Sequence, residues 1–281
     1  MQLDPKPRAH CASSLPRLTA EFIASLRDRP VRDHLGLFLA EGVRFFHSCQ
    51  AADAPIVGVA VSPTLLPSHS RCEIREFAKR QDVRLLEFPR AEFEALSAAT
   101  EPSGVLLVCR QTWQTLPRQI GKSDLWIGVE HIRTPGNLGT LMRSAAAFGA
   151  SGIMVFGPQR DRTDPFDPQA VRASMGGVFS LRIVQTSHRE FRNWNRRYDL
   201  TTLGACPGAS TDVRGVSLRR PVVLMLGNER DGLSEAQRIS CDRFVRIPIS
   251  AGTDSLNVAM AGTALLYEAS SQRNRAVRRK R

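Results

Sequence analysis

Three asparagines stand where side-chain amides and main chain could grip a ligand together. Asn137 lies in Pro135-Gly136-Asn137-Leu138-Gly139, Asn228 in the run from Gly227 to Ser234, and Asn257 in IPISAGTDSLNVAMA, residues 247 to 261. An amide offers donors and an acceptor without titrating, and a neighbouring glycine lets N–H and C=O groups come closer than a Cβ would allow. Asn257 is set between Leu256 and Val258 at what reads as the opening turn of a buried helix, where an amide must find partners or cost stability. A cation completes the set. If the helix after Asn137 buries Leu138, Leu141, Met142, Ala145 and Phe148, then Thr140, Arg143, Ser144 and Ala147 fall on its other face. Arg143 beside glycines at a crevice can hold phosphate or ribose oxygens. The plainer alternatives are that Asn137 and Ser234 merely cap helices and that Arg143 is solvated.

These residues need elements to present them. From 125 onward short apolar runs alternate with helical patterns: strands at 125–130, 152–157, 181–184, 199–205, 221–227 and 244–249, helices at 138–149, 168–176, 188–197 and 234–240, and a long helix from 255. That alternation predicts a mostly parallel sheet covered on both faces, whose ligands gather at the carboxyl ends of the strands. The three asparagine runs all follow such ends. Residues 1–110 carry a smaller α/β/α series: helices at 17–29, 42–52, 71–81 and 90–98, with strands at 37–40, 55–62, 83–88 and 104–110. The polar stretch 111–122 reads as a linker, and 123–281 as the second domain.

Other chemistries are poorly served. EHIRTPGNLG after the first strand of the second series has too few glycines for a dinucleotide fingerprint, IGKS at 120–123 lacks the upstream glycine of a phosphate loop, and no GxSxG is present. Six cysteines and six histidines form no CxxC or HxxxH pair, so neither a metal nor a disulfide framework is expected, and the thiols other than Cys11 read as buried and reduced. No run approaches the ~18 apolar residues of a membrane span. The start, MQLDPKPRAH, has no apolar core of a secretory signal, so a cytoplasmic protein is expected. A net charge of +12 predicts a polyanionic partner, with six positive charges in the tail RNRAVRRKR, residues 273–281.

NLGTLMR (137–143), LGNERDGLS (226–234) and IPISAGTDSLNVAMA (247–261) resemble, in order and spacing, the three signature motifs of the TrmH (SpoU) branch of the SPOUT RNA methyltransferases. RASMGG (172–177) is similar to the intermediate segment of that family. FLAEGVR (38–44) and LSAATEPSGVLLV (96–108) resemble an RNA-binding domain, akin to certain ribosomal proteins, that often precedes the catalytic one. Thr134 stands where many relatives have aspartate, and Arg230 where glycine is common.

The resemblance implies a SPOUT-type α/β sheet with a deep C-terminal trefoil knot, a homodimer, and transfer of methyl from S-adenosylmethionine to a ribose 2′-hydroxyl. Ribosomal RNA is favoured. Transfer RNA, a resistance-type rRNA methylase and a non-catalytic RNA-binding assembly factor are the alternatives. Carried over residue by residue, Asn137, Arg143, Glu229, Ser255 and Asn257 form the catalytic set. Leu226, Gly227, Ile247, Ile249 and Leu256 hold the cofactor, and Arg172 and Arg230 meet RNA. Within that set Glu229 is expected to orient Arg143 or Asn228, and Ser255 to cap the last helix. A guanidinium with a pKa above about 12 is a poor base, so Arg143 is expected to bind the hydroxyl oxygen and a phosphate.

Overall fold

The computed structural model describes residues 17–157, 163–250 and 252–278, with side chains to 274. Cys11, the N-terminal decapeptide and the last three residues of the basic tail lie outside them. The chain divides into two compact units, Met1–Thr112 with Phe166–Ser180, and Trp113–Pro165 with Leu181–Arg281.

In the first unit the elements run α1 (Ala20–Ser25), α2 (Arg29–Leu35), β1 (Leu37–Glu41), α3 (Val43–Ala51), β2 (Ile56–Val61), α4 (Ser68–Arg80), β3 (Arg84–Glu87), α5 (Arg90–Leu96) and β4 (Val105–Arg110). The expected helix at 17–29 shortens to α1, and an unexpected helix follows it. Pro30, in the first turn of α2 behind Asp28, starts a new helix, and Gly36 in the left-handed conformation ends it. The sheet is mixed, ordered β1-β4-β2-β3, with β4 antiparallel to both neighbours and β2 parallel to β3.

Its core gathers Ile23, Leu26, Leu37, Leu39, Phe93, Leu96, Leu106 and Val108. Each such buried side chain contributes about 1.5–3 kcal/mol.

Residues 166–180 join this unit although their sequence position places them inside the second series. They form α7 (Pro168–Ser174) and α8 (Gly177–Ser180), with the rings of Phe166 and Phe179 tilted against Phe38 at centroid distances of 4.9 Å and 5.9 Å. Arg32, 1% exposed, faces Asp167 at 3.9 Å, and Asp167 in turn caps α7. Periodicity has no means of reporting such long-range partners.

The second unit holds β5 (Trp113–Gln114), β6 (Leu125–Val129), α6 (Pro135–Ala147), β7 (Gly152–Phe156), β8 (Arg182–Thr186), α9 (His188–Tyr198), β9 (Thr201–Ala205), β10 (Val222–Leu226), α10 (Glu235–Ile239), β11 (Arg243–Val245) and α11 (Val258–Arg278). All seven strands pair in parallel in the order β11-β9-β10-β6-β7-β8-β5. The order reverses direction beside β6, the position at which such sheets open a ligand crevice.

The stretch expected to be a linker supplies the edge strand β5 and is fastened to α9, where Trp194 Nε1 donates to the Pro117 carbonyl at 2.7 Å and Tyr198 to that of Arg118. Cys49 and Cys109 are buried thiols as expected, but Cys72 is exposed on the polar face of α4. Among the described residues no helix is long and apolar enough to cross a membrane, and no group of three or more His, Cys, Asp or Glu could hold a metal.

Arg273, counted by sequence in the basic tail, is a structural clamp. Its guanidinium donates to the carbonyls of Leu218 (2.8 Å), Ser123 (2.7 Å), Asp124 (3.2 Å) and Arg220 (3.2 Å), locking α11 across the ends of β6 and β10.

Candidate active site at the carboxyl ends of β6, β10 and β11

The site is built from three loops. The first leaves β6 and enters α6, which begins at Pro135 with Thr134 as N-cap, three residues earlier than expected. Asn137 is therefore not the cap, and its side chain is free to reach across to the other two loops.

Its Nδ2 donates to Glu229 Oε1 at 2.9 Å, and its Oδ1 accepts from Asn257 Nδ2 at 3.1 Å. Asn257 Oδ1 accepts from the N–H groups of Ala259 (2.9 Å) and Met260 (3.4 Å), which makes Asn257 the cap of α11 and corrects the expectation for Ser255. Ser255 lies in the exposed segment before the helix, and Asn257 is itself exposed rather than buried.

Glu229 is engaged differently from expectation too. Besides Asn137 it accepts from the N–H groups of Arg133 (3.1 Å) and Thr134 (3.3 Å), so it fixes the β6–α6 turn rather than orienting Arg143 or Asn228. Partial burial works against its charge, but the Asn137 amide and these main-chain donors outweigh it and hold the carboxyl below the usual range. Thr134, with no side-chain cap of its own, thus gains its anchor from a loop 95 residues away.

The loop after β10 is self-contained. Asn228 and Gly232 exchange two main-chain hydrogen bonds, and Asn228 Oδ1 accepts from the N–H of Arg230 (2.6 Å) and Asp231 (3.2 Å). A Cβ at Gly227 would stand 2.1 Å from the Gly232 carbonyl carbon, so only glycine fits there. Ser234 and Gln237 form a capping box on α10, as the sequence leads one to expect of Ser234, and Gln237 Nε2 also donates to the Leu226 carbonyl at 2.9 Å.

Sequence reasoning missed Glu130, which receives the Ser234 hydroxyl and lies 3.3 Å from His188 Nε2. The imidazole, stacked on Phe156, and the hydroxyl hold its carboxyl below the usual range despite burial. A lone glutamate at a strand end gives no signal of such partners.

The third loop, beyond β11, is open. β11 stops at Val245, earlier than expected, and the main-chain groups of Ile247, Ile249 and Leu256 make no hydrogen bond to another described residue. Leu256 is 39% exposed, a large apolar side chain left facing solvent.

Arg143 emerges from α6 exposed, with no hydrogen-bonding or ionic partner among the described residues. Its helix is held firmly beneath. Leu138, Leu141, Met142 and Ala145 are buried, whereas Phe148 is half-buried against Tyr267, and Ser144 and Thr263 share a 2.7 Å hydrogen bond with α11. A Cβ at Gly262 would come within 2.4 Å of Leu141 Cδ1, so glycine permits the close approach of the two helices. Arg230 is likewise exposed at its loop tip, while Arg172 belongs to α7 of the first unit, its Nη1 3.4 Å from the Ala98 carbonyl.

An all-parallel sheet with an amide network and free main-chain groups at its carboxyl edge, and with Arg143 unpaired among the described residues on the helix that leaves it, fits a class of α/β transferase in which binding and alignment carry the work. The SpoU rRNA Methylase family matches residues 124–267, and an MRM3-like substrate binding domain matches residues 21–107. The chain belongs to the SpoU rRNA methylase family.

A Streptomyces viridochromogenes 23S rRNA (uridine(2479)-2′-O)-methyltransferase is 34% identical over 89% of this chain and 88% of its own length. The AdoMet-bound rRNA methyltransferase of Sinorhizobium meliloti superposes with a TM-score of 0.81 at 27% identity, covering 92% of this chain and 96% of that one. The SpoU methyltransferase AviRb of Streptomyces viridochromogenes, in complex with AdoMet, gives 0.79 at 30% identity, covering 91% and 97%.

Proposed function

We propose that this protein transfers a methyl group from S-adenosylmethionine to a ribose 2′-hydroxyl of ribosomal RNA. The observation that carries the reading is the Glu229–Asn137–Asn257 chain, which draws all three signature loops together at the start of the helix that also carries Arg143. The relatives' substrates and bound AdoMet support the same reading.

The residues present fit the cofactor. The free main-chain groups of Ile247, Ile249 and Leu256 can pair with an adenosine edge, and exposed Leu256 can cover its base. Gly232 and Gly252, where an added Cβ would meet nothing within 4 Å, leave room beside them. Leu226 and Gly227 floor the site from β10. When bound, S-adenosylmethionine supplies an electrophilic methyl group on a sulfonium.

What the chain must add is alignment and the handling of one proton. Arg143 binds the ribose oxygen and an adjacent phosphate and stabilises the developing alkoxide, with the proton passing to phosphate or water. Asn137 positions the loops, Glu229 holds the β6–α6 turn, and Asn257 joins α11 to both. Ser255 and Arg230 sit at the rim, where RNA contact is their role.

The homodimer and the trefoil knot belong to this proposal. Met260 and Tyr267, 54% and 61% exposed and seven residues apart on α11, offer an apolar stripe for a second copy. Residues 1–110 serve as the RNA-binding domain, and 123–281 as the catalytic one.

The test is to incubate the purified protein with S-adenosylmethionine and ribosomal RNA from cells lacking its gene, then map ribose methylation. One new 2′-O-methyl site is expected. Its absence, or methyl on a base, would overturn the reading.

A further inference from the structure

The first unit contains a cavity of ≈ 240 Å³ that the methyl-transfer site does not use. Apolar side chains wall it: Leu39, Phe45, Leu96, Leu106, Val171 and Met175. Around that wall stand polar groups, Glu41 and Ser103 together with Arg27 and Arg172.

An apolar slot of this size with few convergent polar groups is the general form of a small-ligand site. It is also built to stay open. The 97–103 loop that forms one side is tied down by Glu41, which accepts from the Ser97 hydroxyl and, at 3.3 Å, from the Ala98 N–H. Arg27 reinforces it by donating to the carbonyls of Ala95 (3.0 Å) and Ser97 (2.9 Å). Gly42 holds φ at 119°, a conformation other residues adopt only under strain, and so turns β1 away from the slot into α3. The Ser103 hydroxyl is buried with no hydrogen-bond partner among the described residues, a cost that native structures seldom leave uncompensated.

We infer that this cavity receives an unstacked nucleobase of the substrate RNA and prefers one that presents an amino edge. The inference rests on the chain acting on RNA, and it names which part of that RNA the first unit reads.

Three features favour a base over other small ligands. The walls are largely apolar and include the Phe45 ring, on which a splayed base can stack. Arg172 and Arg27 bring positive charge to the edge of the slot, matching the phosphate that any nucleotide carries. Both Glu41 oxygens keep lone pairs for a donor. Guanine, with adjacent N1–H and N2–H groups, and cytosine and adenine, with an exocyclic amine, can donate to a carboxylate. Uracil places a carbonyl on each side of its single N–H and is repelled.

The experiment titrates the full chain with GMP, AMP, CMP and UMP at millimolar concentration and follows side-chain methyl resonances of Val171, Met175 and Leu106 by NMR. GMP is expected to saturate these shifts, with UMP about tenfold weaker, about 1.4 kcal/mol. Ala99→Trp, which fills the slot from its loop side, is expected to abolish the shifts while leaving S-adenosylmethionine binding unchanged. If the tryptophan variant does not fold, Ser103→Ala, which removes the buried hydroxyl without adding bulk, carries the test: it is expected to weaken the GMP shifts, and GMP binding as tight as in the unaltered protein would overturn the inference.

Equal shifts with all four nucleotides, none at all, or shifts that persist in Ala99→Trp would overturn the inference. The methyl-transfer reading would stand or fall separately, since ribosomal RNA methylation by the unaltered protein tests it alone.

Discussion

The loop after β10 and the loop after β11 border the same crevice, yet they are built on opposite terms. The first, residues 227–234, is closed on itself by the Asn228–Gly232 pair, by the Asn228 side chain and by the Ser234 capping box. The second, from Arg246 to Asn257, offers main-chain groups at Ile247, Ile249 and Leu256 that pair with no described residue. Half of the site is thus preorganised in the free protein, and half awaits a ligand to satisfy it. Asn137 is the hinge between the halves, since one end of its amide reaches each loop.

The sharpest way to test that division is to remove the group that belongs to neither loop. Arg143→Ala should lower kcat roughly 10²–10³-fold, as loss of a single charge-stabilising donor does elsewhere, with RNA affinity changed only slightly. A fall in affinity alone would move Arg143 from chemistry to docking.

Next comes the rigid loop. Gly227→Ala forces a Cβ into the Gly232 carbonyl carbon, 2.1 Å away, and should cost about 1–3 kcal/mol in chemical denaturation. Arg273→Ala, which strips four carbonyls of their donor, should cost a comparable amount, whereas Ser255→Ala in the open loop should leave stability unchanged.

Hydrogen exchange would compare the two loops directly. Amides of 246–257 should slow when S-adenosylmethionine is added, while those of 228–234 are already protected and change little. Acid should act on the junction between the loops instead. Because the Glu229 carboxyl titrates below its ordinary value of about 4.3, its grip on Arg133, Thr134 and Asn137 is complete above that pH and is lost as pH falls through the lower folded value. Cofactor affinity should fall over that acid range, and Glu229→Gln should flatten the dependence.

The smallest effect concerns the tail. Deleting 276–281 while keeping Arg273 should reduce the slope of log affinity against log salt by roughly 0.7 for each phosphate that the shortened chain no longer neutralises, without altering kcat. An unchanged slope would mean that those charges are simply solvated.

Much of the architecture was legible from the chain. Every strand of both sheets except the two-residue β5 was expected from its apolar run, and the parallel pairing of the second sheet followed from its alternation with helices. Period and length suffice for that, because burial on both faces forces continuous apolar runs.

The reading failed where a boundary depends on a distant partner. β11 is short because the chain beyond Val245 leaves the sheet, a departure that the apolar Ile247 and Ile249 disguise. Pro135 begins α6 earlier than Asn137 suggested, since a proline suits a first turn and Thr134 is anchored by Glu229 rather than by its own side chain.

By itself the sequence determined the element types, the apolar faces and, through glycine and asparagine spacing, which loops carry the site. Only the tertiary structure decided what each polar side chain does there: that Asn257 and not Ser255 caps α11, that Glu229 pins a turn, that Arg273 clamps a helix, and that 166–180 complete the first unit. The physical reason is one of range. Propensity and periodicity act over a few residues of chain, whereas a polar side chain is satisfied by whatever the fold brings within about 3 Å, and the partners of Arg273 and the side-chain links among Asn137, Glu229 and Asn257 span 53 to 150 residues.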